Sequence, residues 1–227
     1  MPKDTITLKD VLAVIKVDLW TTRFFFDPLA IPLTAWLAGR KRVTPNGITA
    51  AALMVGLIAG VLFGLGHFRL GALGYYLYFL LDCVDGKLAR VTRRDSAWGA
   101  IYDFVVDRTV AAGMSFGLIL SLLRHDRVLP AVLVGAYIIL FLWKDALTLQ
   151  LQTIRTPVKL EGGPARRGFL VVPPLKIHFR PGQILSCFAA FFIAPLTHHW
   201  TIYLPVAILC VLFSIGYNVV LPLWTRR

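Results

Sequence analysis

Acidic residues, cysteines and charge of either sign are all scarce in this chain. Of its 227 residues only 16% are charged and just 12 are Asp or Glu, while 57% are hydrophobic. That balance leaves too little polar surface for an ordinary soluble domain. The three cysteines, Cys83, Cys187 and Cys210, lie in apolar runs without metal-ligand spacing. Their number and placement exclude a disulfide framework and a thiolate zinc site, and read as buried free thiols. Residues 1–23 lack an apolar core long enough for a cleavable signal peptide. No internal repeat or low-complexity segment is visible. The 24 basic residues set the net charge at +12, which in a soluble protein would suggest nucleic acid. Here they gather at the ends of apolar runs, so no nucleic-acid partner is expected. Membrane orientation and attraction to anionic lipid or substrate account for them instead.

What the chain does have is a succession of apolar runs. The stretch 24–38 is apolar but interrupted by Asp27, Pro28 and Pro32. It reads as a helix lying in the membrane interface, anchored by Trp20, three phenylalanines and Trp36. Six spans follow: about 47–66, a second from 70 that carries Asp82 and Asp85 towards its far end, 99–123, 128–149, 184–196 and 202–223. The first holds Gly56, Gly60 and Gly64, small residues four apart that let helices approach closely. The expected fold is therefore all-α: a polytopic membrane protein with six transmembrane helices, preceded by an N-terminal interfacial amphipathic helix. Residues 1–43 form the N-terminal cytoplasmic segment with that helix, and 44–227 the six-span domain. Allocating Lys and Arg to the loops puts 19 on one side and 3 on the other. This predicts both termini and the acidic stretch at the cytoplasmic face.

That acidic stretch, 81–108, carries the chemistry. Asp82, Asp85, Gly86, Ala89 and Arg90 fall on one stripe of a helix, and Gly99, Asp103 and Asp107 on one stripe of the next. A turn between them lets the two helices pack antiparallel with four carboxylates around one small volume. Such crowding requires cations or protons, and hard oxygen donors without Cys or His suggest Mg²⁺, Mn²⁺ or Ca²⁺. The competing structural reading is an ion-paired cluster in which Lys87, Arg90 and Arg108 satisfy the acids. Gly86 and Gly99 leave room for a ligand against helix backbone, or serve close helix packing. Arg90, about 12 Å along the helix from Asp82, could hold a phosphate.

In order, these residues read D-x2-D-G-x2-A-R-x8-G-x3-D-x3-D. The pattern resembles the signature of the CDP-alcohol phosphotransferase family at every fixed position. The resemblance implies a membrane transferase of phospholipid biosynthesis that moves a phosphoalcohol from a CDP-alcohol to an acceptor hydroxyl and releases CMP. It further implies Mg²⁺ (or Mn²⁺) on Asp82, Asp85, Asp103 and Asp107, with Asp107 also the general base, and a homodimer. Crowding by other carboxylates would improve Asp107 as a proton acceptor, while a nearby metal opposes that. By the same resemblance Asn46 and Thr49, at the start of the first span, lie near the nucleotide; a helix cap is the alternative.

Phosphatidyl transfer from CDP-diacylglycerol is the preferred reading. The motif equally allows transfer of a CDP-linked choline or ethanolamine phosphate to diacylglycerol. For the acceptor the candidates are Lys144 and Arg155, with a basic segment over 154–182 suited to a phosphorylated alcohol or to anionic lipid headgroups. His67, His125, His198 and His199 fall at the opposite face, and Tyr75, Tyr76 and Tyr78 read as packing and interface residues. A divalent-cation transporter would also place acids in the membrane, but all four aspartates lie towards one face.

Overall fold

The computed structural model describes residues 6–14, 18–19, 21–40, 42–155, 171–172, 177–178 and 183–217. A short helix α1 (Leu8–Ala13) is followed by a π-helical turn (Thr22–Phe26) running into α2 (Asp27–Ala38). Four long helices follow: α3 (Pro45–Gly64), α4 (Phe68–Val91), α5 (Ala97–Arg124) and α6 (Val128–Arg155). Next come α7 (Gln183–Phe188), a π-helical turn (Ala189–Ile193) and α8 (Ala194–Thr197), then α9 (Trp200–Ile215). Among the described residues extended pairing is confined to three two-residue strands, β1 (Asp18–Leu19), β2 (Val171–Val172) and β3 (Ile177–His178), in the order β1-β3-β2. Asp18 pairs with Ile177 in parallel register and Val171 with His178 in antiparallel register. The helical architecture expected from the apolar runs is therefore observed.

Among the described residues three helices are long and apolar enough to cross a membrane: Pro45–Gly64, Ala97–Arg124 and Val128–Thr148. Ile184–Thr197 and Trp200–Ile215 are apolar but shorter. The 24-residue α4 contains Asp82, Asp85, Lys87 and Arg90, which dilute its apolar character. The predicted anchor Trp20, most of the segment 154–182 and the end of the last expected span lie outside the described residues.

Local signals explain where the helices begin. Thr44 precedes Pro45, and its hydroxyl accepts from the Gly47 amide at 3.2 Å; Ser96 caps α5 in the same way, accepting from Gly99 at 3.0 Å. The turn joining α4 to α5 places Arg93 at φ +55°. At the other end of the bundle, the turns after α3, α5 and α8 come together: the Phe68 ring contacts those of His125, His198 and Trp200. All four histidines assigned to the face opposite the aspartates, His67, His125, His198 and His199, thus lie in these turns. His198 is pushed below the ordinary imidazole range by partial burial and by Arg69, Arg127 and His199.

Close backbone approach sets the helix arrangement. A side chain at Gly117 would fall on the Gly60 carbonyl oxygen, and one at Gly60 would meet the Gly113 backbone. Gly71 and Gly74 of α4 press on Phe63 and Ala59 of α3 in the same way. So α3 is packed tightly against both α4 and α5, whereas α4 and α5 meet mainly through polar side chains. The direct antiparallel packing expected for α4 and α5 is replaced by a cleft between them, with α3 behind it.

Replacing Gly117 by Ala should therefore overpack the α3–α5 contact and cost about 1–3 kcal/mol. Gly135→Ala, where a Cβ has open space, should be neutral or stabilising by up to about 1 kcal/mol. Thermal unfolding in detergent compares the two, and equal melting temperatures would contradict the close approach.

Candidate metal and nucleotide site

The cleft between α4 and α5 holds the acidic stripes. Asp82, Asp85 and Asp103 each present a carboxylate oxygen within 4.8 Å of the others. Asp107, one turn beyond Asp103, lies in side-chain contact with Asp82. All four carboxylates therefore gather as their spacing predicts, three in a tight group and the fourth at its edge. Asp85 accepts a hydrogen bond from the Thr49 hydroxyl, which orients it from α3. The Tyr78 hydroxyl donates to Asp107 Oδ1 at 2.6 Å, and Arg108 Nη1 donates to Asp107 Oδ2 at 3.2 Å.

The ion-paired alternative holds at Asp107, which Arg108 reaches, and not at the other three carboxylates. Lys87 reaches Asp27 of α2 at 2.8 Å, with both side chains 2% exposed. Arg108 bonds Asp145 through Nη2 at 2.6 Å and Nε at 3.0 Å, besides its contact with Asp107. Among the described residues no salt bridge reaches Asp82, Asp85 or Asp103. Asp103 Oδ1 is buried without a hydrogen-bond partner. Three carboxylates that converge without a salt bridge to any protein cation among the described residues, one of them with an orphaned oxygen, fit a hard divalent ion such as Mg²⁺ or Mn²⁺.

Next to the trio the stripe continues as expected. Arg90 is half-buried, and its Nε has no partner, so the guanidinium is available to an anion. A Cβ at Gly86 would meet only the Arg90 side chain, and one at Gly99 only Ser96 Oγ and Asn46 Oδ1. These two glycines do not serve the backbone-to-backbone packing seen at Gly60 and Gly117; they keep the mouth of the cleft open. Ala89 sits half-buried on the same helix. Asn46 is exposed beside Gly99 and does not cap α3, a role taken by Thr44. Thr49 is buried and engaged with Asp85 and the Pro45 carbonyl.

On the far side of Asp107, Lys144 is buried and bonds Asp145 at 2.8 Å. Asp145 thus bridges Lys144 and Arg108. Arg155 closes α6, but its side chain lies outside the described residues. Tyr78, read from sequence as packing, is the clearest omission. It lies four residues before Asp82, which in an antiparallel pair of stripes is the position opposite Asp107. Tyr76, by contrast, bonds the Phe25 carbonyl at 2.8 Å and stacks on Phe26, both in the π-helical turn before α2, as a packing residue would.

The CDP-alcohol phosphatidyltransferase pattern matches residues 42–214, and the chain belongs to that family. Among individual proteins, it is 39% identical over 97 residues to phosphatidylinositol phosphate synthase of Streptomyces avermitilis, covering 42% of this chain and 38% of the relative. It is 32% identical over 97 residues to archaetidylinositol phosphate synthase of Pyrococcus horikoshii, covering 43% and 52%. The matched stretch is therefore only about half, or less, of these relatives' length. The fold is similar to that of Mycobacterium tuberculosis phosphatidylinositol phosphate synthase, with a TM-score of 0.58 at 17% identity over 82% of this chain and 92% of that one. Structures of that protein with CDP-DAG bound, and with manganese and citrate, superpose with TM-scores of 0.56 and 0.57 at 18% identity. Each covers 83% of this chain, and 92% and 88% of the respective neighbour.

The buried pair between α2 and α4 is open to a direct test. Lys87→Met strands the Asp27 carboxylate and should destabilise the protein by about 3–5 kcal/mol. The value should fall towards the lower end, because Arg23 also reaches Asp27 at 3.0 Å. Removing both charges, in Asp27→Asn/Lys87→Met, should restore most of the loss. Additive losses in thermal unfolding would rule out the pairing.

Proposed function

We propose that this protein is a metal-dependent integral membrane transferase of phospholipid biosynthesis. It moves phosphatidyl from CDP-diacylglycerol to the hydroxyl of a phosphorylated alcohol, with release of CMP. One observation carries the reading: three unneutralised carboxylates and an unpartnered arginine line the same cleft, with two glycines holding its mouth open. The names of the similar proteins point to an inositol phosphate as acceptor and favour a lipid-bearing donor over a CDP-linked headgroup.

Asp82, Asp85 and Asp103 would hold Mg²⁺ or Mn²⁺, which when bound would supply Lewis-acid stabilisation of the charge developing on the departing CMP. Arg90 binds a pyrophosphate oxygen at the other end, and Asn46, Gly86, Ala89 and Gly99 bound the nucleotide. Thr49 keeps Asp85 in place. Asp107 takes the proton from the acceptor hydroxyl as its oxygen attacks the lipid-bearing phosphorus. The bond from that phosphorus to the CMP oxygen breaks, and its electron pair leaves with CMP. Lys144 and Arg155 receive the acceptor phosphate, beside Asp107.

The six-span layout belongs to the same reading. The shared cluster of turns at one end of the bundle, with Arg69, Arg124 and Arg127, supports that end as the less basic, outer side. The cleft then opens at the cytoplasmic face, with residues 1–43 as an interfacial anchor ahead of the six-span domain and a second copy completing a homodimer. Cysteine-accessibility mapping should find 87–97 and 154–182 on the cytoplasmic side. Labelling of 154–182 from outside would refute the layout.

CMP release from CDP-diacylglycerol, assayed over a panel of acceptors, tests the activity. Turnover should depend on Mg²⁺ or Mn²⁺ and cease in excess EDTA; full turnover in EDTA would sink the metal reading. Asp107→Asn should still bind CDP-diacylglycerol in calorimetry while turnover falls by roughly 10²–10⁴-fold. Asp82→Asn should bind the donor poorly. Near-normal turnover by Asp107→Asn would remove that residue as the base.

A further inference from the structure

Asp107 is held differently from the other three carboxylates. Asp82, Asp85 and Asp103 converge on one another, whereas each oxygen of Asp107 has its own protein donor. Tyr78, only 6% exposed, donates to Oδ1 from α4 at 2.6 Å. Arg108 donates to Oδ2 at 3.2 Å, and that guanidinium is itself locked by two bonds to Asp145, which also holds Lys144. The Asp107 side chain remains 29% exposed, so it stays reachable from the cleft.

We infer that Tyr78 is a positioning residue for the transfer step. It fixes the Asp107 carboxylate from α4 so that an acceptor oxygen meets it in one orientation, independently of the metal. The inference rests on Asp107 being the proton acceptor. A carboxylate with one donor on each oxygen has one favoured rotamer and keeps a further lone pair on each oxygen for the incoming hydroxyl. The register supports this assignment. Tyr78 and Asp82 are one turn apart on α4, and Asp107 and Asp103 one turn apart on α5. Antiparallel running therefore sets Tyr78 against Asp107 at the deeper level and Asp82 against Asp103 nearer the mouth. Arg108, bonded to Asp145 on α6, closes the same carboxylate from the other side. Without the phenol, Asp107 keeps the longer arginine contact and its contact with Asp82, and nothing from α4 holds its Oδ1 away from the carboxylate trio.

The test uses the full chain in detergent. CMP release from CDP-diacylglycerol is followed with inositol phosphate and, in parallel, glycerol phosphate as acceptors. Mn²⁺ binding is followed by electron paramagnetic resonance. Tyr78→Phe keeps the ring and the fold and should lower kcat by about 10–100-fold. The KM for CDP-diacylglycerol and the affinity for Mn²⁺ should not change. In an Asp107→Asn background the same change should cost nothing more, since the group it positions has already lost its basicity. Wild-type kcat in Tyr78→Phe, with Asp107→Asn inactive, would overturn the positioning role and leave the base assignment standing. Near-normal turnover by Asp107→Asn would overturn both. A further drop in the double variant, or weakened Mn²⁺ binding in Tyr78→Phe, would also overturn the inference, because Tyr78 would then act elsewhere.

Discussion

Everything in this molecule is arranged around like charges held close together in a low-dielectric setting. Carboxylates that share a small volume inside a helical bundle repel one another strongly, and no fold gains stability by collecting them. They persist only where the surrounding structure withholds other partners and a cation can enter. The first condition is visible here. Lys87 is taken by Asp27 and Arg108 by Asp145, so the two nearest protein cations besides Arg90 are committed away from Asp82, Asp85 and Asp103. The scaffold spends its basic residues on holding helices and leaves the acids to a ligand.

The small residues divide into two kinds for the same reason. Gly60, Gly71, Gly74 and Gly117 bring α3 against its neighbours, where any Cβ would strike backbone or side chain. That tight three-helix contact is what can hold α4 and α5 at a fixed separation without their touching along their length. Gly86 and Gly99 lie on the resulting cleft, and their missing side chains leave space rather than fill it. One residue type thus serves rigidity in one place and access in another, and only the neighbours distinguish them.

The N-terminal helix is tied into this arrangement more firmly than an interfacial anchor needs to be. Phe24, Phe25, Leu29 and Trp36 are exposed, as a membrane-facing surface should be, while Phe26 and Ala30 are fully buried and Asp27 reaches Lys87 beneath them. Lys87 lies on α4 within one turn of Asp85, Gly86 and Arg90, so the pair ties α2 to the helix turn that carries the site. The buried pair makes the docking of α2 specific, since neither charge could be left alone at that depth.

Much of the site was legible without coordinates, because helical periodicity converts spacing directly into shared faces. Asp82, Asp85, Gly86 and Arg90 had to lie on one stripe, and Gly99, Asp103 and Asp107 on another, whatever the bundle looked like. The apolar runs likewise determined a helical, membrane-type chain, and the loop charges suggested which end is which. Pairings across helices were another matter, since they depend on rotation and separation that no local pattern encodes. Sequence left Lys87, Arg90 and Arg108 as candidates to neutralise the acids, and only packing against α2 and α6 assigned Lys87 to Asp27 and Arg108 to Asp145 and Asp107. It read Tyr78 as packing because a buried tyrosine in an apolar helix looks the same whether or not an acceptor faces its hydroxyl. That Asp107 faces it, across a cleft opened by α3, is a property of the tertiary structure alone.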